Sequence, residues 1–327
     1  MMKRLLRLGF PILAAMLTVT GCGQPALERA PGAADAIVIE NTGHTLRFAQ
    51  PPRRIVSLYP TMTAALLRLG AADRIVGHAG TEYTPFPADV AEQAKQLPLL
   101  GDTESNRESL LSARPELIVA DQEYHFDGRR LPTRKELEQL GIQVYINPAW
   151  WEPQMLAGTI ERSLDVIGDL GRIVGAPERA GQLLTTLREQ LNDARRRAAT
   201  EPPLSTLLIT RYANQIYTHA GAIYGDLLTQ ANLDNLAGVA DMKPGDYSGS
   251  VPVETLIQRT PRLIVFSYRS EAQRLGDAAE IAALFAATPA GRDRAIVGIP
   301  EAATAGGPES VEALTELLTA VRPWRSR

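Results

Sequence analysis

The stretch PPRRIVSLYPTMTAALLRLGAADRIVGHAG, residues 51–80, decides the fold. Residues 54–58 are a β-branched apolar run and read as a buried strand. Residues 61–69 follow as a helix, with Met62, Leu66 and Leu69 at helical spacing and Gly70 as its stop. Residues 74–76 are again a short strand. Strand, helix and strand in that order make a parallel pair with a crossover helix. The same grammar continues outward. A helix through Leu110 and Leu111 ends at Pro115, and 116–120 is a strand. Residues 134–140 form a helix stopped by Gly141, and 143–146 a strand. Upstream, 36–40 and 45–48 alternate as a hairpin about Asn41, Thr42 and Gly43. The fold class is α/β, with a largely parallel sheet and helices on its faces.

The alternation breaks at 154–174, where Leu156, Ile160, Leu164, Ile167 and Val174 share one helical face. Gly175, Ala176 and Pro177 end that segment. A second amphipathic helix runs to about Ala199, with Arg195, Arg196 and Arg197 suited to its C-terminus. A βα pattern resumes at 205–210 and continues to about Val321. The expected organisation is an N-terminal α/β lobe over 36–153, a single long interdomain helix over 154–175 and a C-terminal α/β lobe over 176–327. An internal repeat supports two lobes. Residues 108–119 read ESLLSARPELIV and residues 254–265 read ETLIQRTPRLIV. Each is a short helix, a proline that stops it and a buried strand. That grammar does not require the glutamate, Glu108 or Glu254, that opens each copy.

Composition excludes several functions. The 327 residues are 45% hydrophobic and 22% charged, which is globular rather than disordered. The net charge is −3 and no basic tract tracks a phosphate backbone, so nucleic acid is not expected as a partner. None of the four lysines, Lys3, Lys95, Lys135 and Lys243, follows a glycine, so the chain holds no Walker A loop. No GxGxxG or GxSxG occurs either. Residues 1–21 read as a secretory signal: Lys3, Arg4 and Arg7, then an apolar run from Leu8 to Val19, too short to span a bilayer. The run ends in Thr20, Gly21 and Cys22, which resembles a bacterial lipobox. Cys22 is the single cysteine, so it has no disulfide partner, and residues 22–35 read as a flexible tether.

The stretch at 51–80 also resembles the opening of the class III periplasmic binding proteins, the substrate-binding subunits of ABC importers for ferric siderophores, cobalamin and haem. The resemblance continues through SLLSARPELIVA, RKELEQLGIQVY, IYGDLLTQANLDNLAG and VPVETLIQRTPRLIVF, and spans residues 45–322. The first turn departs from the family's frequent Ser-x-Thr-Glu, because Ala64 follows Thr63. The resemblance implies two Rossmann-like lobes bridged by one rigid helix, a ligand in the cleft between them and no catalysis. It implies a monomer that docks on a permease dimer with separate ATPase subunits, through Glu108 and Glu254. It implies no resident cofactor; the ligand is expected to be a chelate, a ferric siderophore first, with a corrinoid or haem as alternatives. An extracytoplasmic metal-dependent enzyme on the same scaffold is the alternative of a different class. That alternative lacks cysteine ligands beyond Cys22 and any compact acid–base motif.

Ligands of parallel α/β sheets sit beyond the carboxyl ends of the strands. The residues following each strand are therefore the ligand-binding candidates: Tyr59, Tyr83, Tyr124, Trp150, Trp151, Arg211, Tyr212, Tyr247, Tyr268 and Arg269. Aromatic faces suit a broad chelate and guanidinium groups suit its anionic oxygens. A haem would use a tyrosine as axial ligand, with Tyr59, Tyr83 or Tyr124 available. His78, His125 and His219 also lie near strand ends, a paper three-histidine site, although no metal site is expected. Lipidation at Cys22 would hold the exported chain on the membrane, within the cell envelope. Cys22→Ser is expected to leave the protein soluble or unprocessed on fractionation; normally processed protein in the membrane fraction would refute the anchor.

Overall fold

The structure is a computed structural model that describes residues 36–212 and 215–325. The signal and tether expected over 1–35, Cys22 included, lie outside the described residues. Strands β1 (Ile37–Asn41) and β2 (His44–Phe48) form an antiparallel hairpin. Its turn holds Thr42 and Gly43 at φ 49° and 79°, the paired left-handed residues that suit a tight hairpin.

The first lobe runs through β3 (Ile55–Ser57), α1 (Pro60–Arg68), β4 (Ile75–Ala79), α2 (Ala91–Ala94), β5 (Leu99–Gly101), α3 (Arg107–Ser112), β6 (Leu117–Ala120), α4 (Arg134–Gln139) and β7 (Gln143–Ile146). Its sheet has the order β5-β4-β3-β6-β7 with every pair parallel. The central strands β3 and β6 are buried on both faces, which explains their unbroken apolar runs. On one face, α1 packs Met62, Leu66 and Leu69 with Ile55 and Leu117. On the other, Leu110 of α3 and Leu137 of α4 pack with Val56 and Ile118.

The connection between lobes differs from the single helix expected over 154–175. That segment is a 3₁₀ turn (Glu152–Ala157), α5 (Ile160–Ser163) and α6 (Asp165–Ile173). Gly158 breaks it, because its backbone passes so close to Ala149 that a Cβ would lie 2.3 Å from that carbonyl oxygen. Thr159 then caps a new helix, its side chain accepting from the Arg162 amide at 3.1 Å. The long helix is instead α7 (Pro177–Ala199), 23 residues and about 35 Å in length. Its buried stripe is Ala180, Leu187, Leu191, Ala194 and Ala198. Ala180 belongs to the first lobe's core and the other four to the second's, so α7 is the strut between lobes.

The second lobe holds β8 (Leu204–Tyr212), β9 (Gln215–His219), α8 (Ala222–Gln230), β10 (Leu233–Asn235), β11 (Ser248–Ser250), α9 (Val253–Gln258), β12 (Leu263–Tyr268), α10 (Glu271–Leu284), α11 (Pro289–Arg292), β13 (Ile296–Pro300) and α12 (Pro308–Arg325). The order is β11-β9-β8-β12-β13. This sheet is mixed rather than largely parallel. The first half of β8 pairs with β10 in parallel, and the second half turns back on β9 antiparallel. The two repeat copies take matching places: α3 leads into β6 between β3 and β7, and α9 leads into β12 between β8 and β13. The match reaches the backbone, since Arg114 and Thr260, each before the repeat proline, are left-handed at φ 45° and 52°.

The lobes meet along a polar seam. After β7, Asn147 Nδ2 and Trp150 Nε1 both donate to the Ala305 carbonyl, at 3.2 and 2.9 Å. Gly306 and Gly307 follow at φ 93° and 80°. A Cβ on Gly306 would lie 2.6 Å from that of Ser163, so the close approach to α5 requires glycine. Arg68 at the end of α1 donates to Glu309 of α12 at 2.7 Å, with both side chains nearly enclosed.

Candidate functional site

The carboxyl ends of the two sheets face each other across this seam. On the first lobe Tyr59 follows β3 and precedes α1, its ring buried and nearly parallel to that of Tyr83, with centroids 6.0 Å apart. Asp121 follows β6, is buried, and lies 2.7 Å from His125 Nε2. Tyr124 sits on the 3₁₀ turn Glu123–Phe126 with its ring against His125 at 4.2 Å, and remains 40% exposed. On the second lobe Tyr224 and Tyr247 stack with centroids 5.7 Å apart, over His219. The Tyr224 hydroxyl lies 3.3 Å from Glu301, which follows β13.

Electrostatics shows that these groups share one space. Burial pushes the Tyr59 phenol well up, and the carboxylates of Asp121 on its own lobe and Glu301 on the other add to the rise. Burial, with Glu301 and then Asp121, pushes Tyr247 up to about 12. Tyr124 moves the same way, by burial and Asp121. The phenols therefore stay protonated and can donate hydrogen bonds. Arg269 supplies the cation. Its guanidinium lies 5.9 Å from the rings of Tyr83, across the seam, and Tyr212, on its own lobe. Among the described residues no carboxylate lies within ion-pair distance of Arg269.

Tyr59, Tyr83, Tyr124, Tyr212, Tyr247 and Arg269 are thus brought to the crevice. The other strand-end candidates are not. Trp150 is 3% exposed, edge-on to Tyr224 and Tyr247, with its N–H committed to Ala305, so it builds the wall behind them. Trp151 is half-buried with its indole edge beside Gly43 of the hairpin turn. Arg211 is held by Asp277 and Glu280 of α10, both at 2.5 Å, which uses its charge. Tyr268 packs over Gly298 of β13 beside Phe266. Asp121, Tyr224 and Glu301 were missing from the candidates. Asp121 directly follows a recognised strand and was legible. Tyr224 and Glu301 follow β9 and β13, strands the sequence reading did not resolve.

The histidines do not converge. His78 packs edge-on to Phe86, His125 faces Asp121, and His219 Nε2 lies 2.8 Å from Thr210 Oγ1, itself 2.8 Å from Ser267 Oγ. Among the described residues no group of three histidine, cysteine or acidic side chains could hold a metal ion. Glu108 and Glu254 are exposed in the first turns of α3 and α9. Each helix runs back along the strand it precedes, so each glutamate sits at the strands' carboxyl end, on the rim of its lobe.

A family model described as periplasmic binding protein matches residues 55–303, and the chain belongs to that family. The chain is 25% identical over 206 residues to an uncharacterised ABC transporter substrate-binding lipoprotein, YvrC, of Bacillus subtilis (strain 168), covering 61% of this chain. It spans 60% of that relative's length. It is similar in structure to an ABC-type Fe3+-hydroxamate transport protein of Saccharomonospora viridis, with a TM-score of 0.70 at 21% identity, covering 86% of this chain and 98% of that one. It is also similar to the periplasmic vitamin B12 binding protein BtuF of Vibrio cholerae, with a TM-score of 0.68 at 20% identity over 85% and 99%. These two likenesses establish the two-lobed fold.

The enclosed His219 ring makes stability depend on pH. Burial pushes its pKa down to about 3, and burial also lowers His78. Both are neutral in the fold, so the stability they carry is full above about pH 6.5 and lost as pH falls, because the unfolded chain takes up the proton first. His219 alone should cost the fold about 2–3 kcal/mol between pH 7 and 4.5. Urea unfolding at the two pH values should show a smaller loss for His219→Gln. An equal loss in both proteins would place the titrating group elsewhere.

Proposed function

We propose that this periplasmic binding protein is the substrate-binding component of an ABC importer and that it carries a ferric siderophore between its lobes. The observation that carries the reading is Arg269, a guanidinium held between two tyrosine faces with no carboxylate partner among the described residues. A ferric siderophore is a broad chelate whose outer oxygens are negative. Stacked tyrosines match its flat parts, and a guanidinium matches those oxygens. The likeness to the Fe3+-hydroxamate transport protein supports an iron chelate. A corrinoid is the second reading, supported by the likeness to the vitamin B12 binding protein and by the near-parallel Tyr59 and Tyr83 rings.

The same reading gives the chain its partners. A permease dimer, served by separate ATPase subunits, presents one surface twice, and Glu108 and Glu254 offer one exposed acid per lobe. The chain acts as a monomer, exported and held at the membrane by a lipid on Cys22.

Protein purified from its native host should carry a ferric charge-transfer band and release an iron chelate to mass spectrometry. A corrin spectrum would select the second reading, and a Soret band would exclude both. Arg269→Ala should weaken binding of that ligand by about 1.5–3 kcal/mol; unchanged affinity would remove the residue from the site. Glu108→Ala and Glu254→Ala should keep ligand affinity and reduce uptake, with the double variant the most impaired. Normal uptake by the double variant would end the docking role.

A further inference from the structure

The tyrosine cleft holds more acid than base. Asp121 follows β6 on the first lobe, is 5% exposed and lies 2.7 Å from His125 Nε2. Glu301 follows β13 on the second lobe, half-buried, with the Tyr224 hydroxyl at 3.3 Å. Asp246 is exposed and directly precedes Tyr247. Neither Glu301 nor Asp246 has an ion-pair partner among the described residues. Two guanidinium groups stand against these acids. Arg130 is engaged by Glu104 and Asp127. That leaves Arg269, 5.9 Å from the rings of Tyr83 and Tyr212.

The phenols register this balance. Burial raises Tyr59 most, and Asp121 and Glu301 each raise it by more than Arg269 lowers it. Tyr247 is raised first by burial, and Glu301, Asp121 and Asp246 each add to the rise. The acids on the two lobes thus act on the same rings, so an occupant of the cleft meets them together. A filled cleft sheds water, and a charge brought against carboxylates there is felt far more strongly than in solvent. Like charges set against each other across an interface are a common means of rejecting a wrong partner.

On the reading that the cleft holds a ferric chelate, we infer that it selects chelates by net charge, taking neutral or singly cationic complexes and rejecting polyanionic ones, with Asp121 and Glu301 as the selecting residues. The chemistry of the complexes makes this a sharp division. Three singly charged hydroxamates cancel the charge of ferric iron, whereas three doubly charged catecholates leave the complex a trianion. One guanidinium offers donors to the partly negative oxygens of a neutral complex. It does not neutralise a trianion, least of all beside Asp121 and Glu301.

Three ferric complexes titrated into the protein by fluorescence quenching test this: ferrichrome, which is neutral, ferrioxamine B, which carries one pendant ammonium, and ferric enterobactin, the trianion. Ferrichrome or ferrioxamine B should bind with a Kd of about 10 μM or tighter. Ferric enterobactin should bind at least about 100-fold more weakly than the better of them. Because the complexes also differ in shape, the same titrations on charge variants isolate the effect of charge. Glu301→Lys should narrow the gap at least about tenfold, and the near-isosteric Glu301→Gln should narrow it by a smaller factor, with the fold intact by circular dichroism. Trianion binding as tight as that of the neutral complex, or a gap that neither variant narrows, overturns the charge selection and leaves the ferric-chelate reading standing. Binding of none of the three complexes overturns that reading, and the charge selection falls with it.

Discussion

A buried guanidinium at the end of α1 sets the relation between the lobes. Arg68 sends one nitrogen to Glu309 of α12, in the second lobe, and others to Asp89 on its own lobe. Its backbone carbonyl accepts from Arg179 of α7, the strut. One residue thus ties the first lobe's leading helix to the strut α7 and to α12, the last helix of the second lobe. Removing one partner of such an enclosed pair leaves an uncompensated charge and costs about 3–5 kcal/mol, far more than an exposed pair. The seam is also specific in direction, since the Ala305 carbonyl accepts from both Asn147 and Trp150. Hydrophobic contact alone would let the lobes slide; fixed donors and acceptors give them one register.

That register creates the cleft chemistry. The Arg269 guanidinium approaches Tyr83 of the other lobe, and Tyr59 on one side senses Glu301 on the other. Neither relation exists within a lobe. Burial and facing carboxylates keep the phenols neutral, so the crevice presents hydroxyl donors, aromatic faces and the Arg269 guanidinium, which has no ion-pair partner among the described residues. A tyrosinate would need an opposing cation to offset Asp121 and Glu301.

Much of the first lobe was legible in the sequence, because its strands are short apolar runs divided by glycine and proline, as at Ile55–Ser57 and Leu117–Ala120. The repeat was legible for the same reason, and the structure extends it to the left-handed Arg114 and Thr260. The connection was not. Ile160, Leu164 and Ile167 are buried as their spacing implies, but spacing is silent about Gly158, whose role depends on the distant Ala149 carbonyl. The β8–β9 hairpin was equally hidden, since its strands alternate weakly and β9 ends in a polar run. The strand-end rule named residues that the fold brings together, Tyr59 and Tyr83 among them, and residues that neighbouring side chains hold elsewhere, as at Arg211 and Tyr268. A strand end fixes where a residue is, not which neighbour claims its charge: α10 places Asp277 and Glu280 where Arg211 must meet them.

The two ends of the interlobe crevice carry opposite electrostatic character, and topology explains why. At the centre, Arg269 follows β12, in a crevice where Asp121 lies against His125 and Glu301 against the Tyr224 hydroxyl. At the flank, α12 starts immediately beyond the Gly306–Gly307 turn and brings acids at successive turns of one helical face. Acids early in a helix are favoured by its dipole, which accounts for Glu309 and Glu312 locally. It does not account for Glu316, well past the first turn, or for Glu312 and Glu316 standing exposed with no ion-pair partner among the described residues, while Arg68 is engaged with Asp89 and Glu309. A surface selected for solubility alone would intersperse signs along that row. The seam between the lobes therefore separates charge along its length, with a guanidinium among phenols at one end and carboxylates beside an apolar wall at the other.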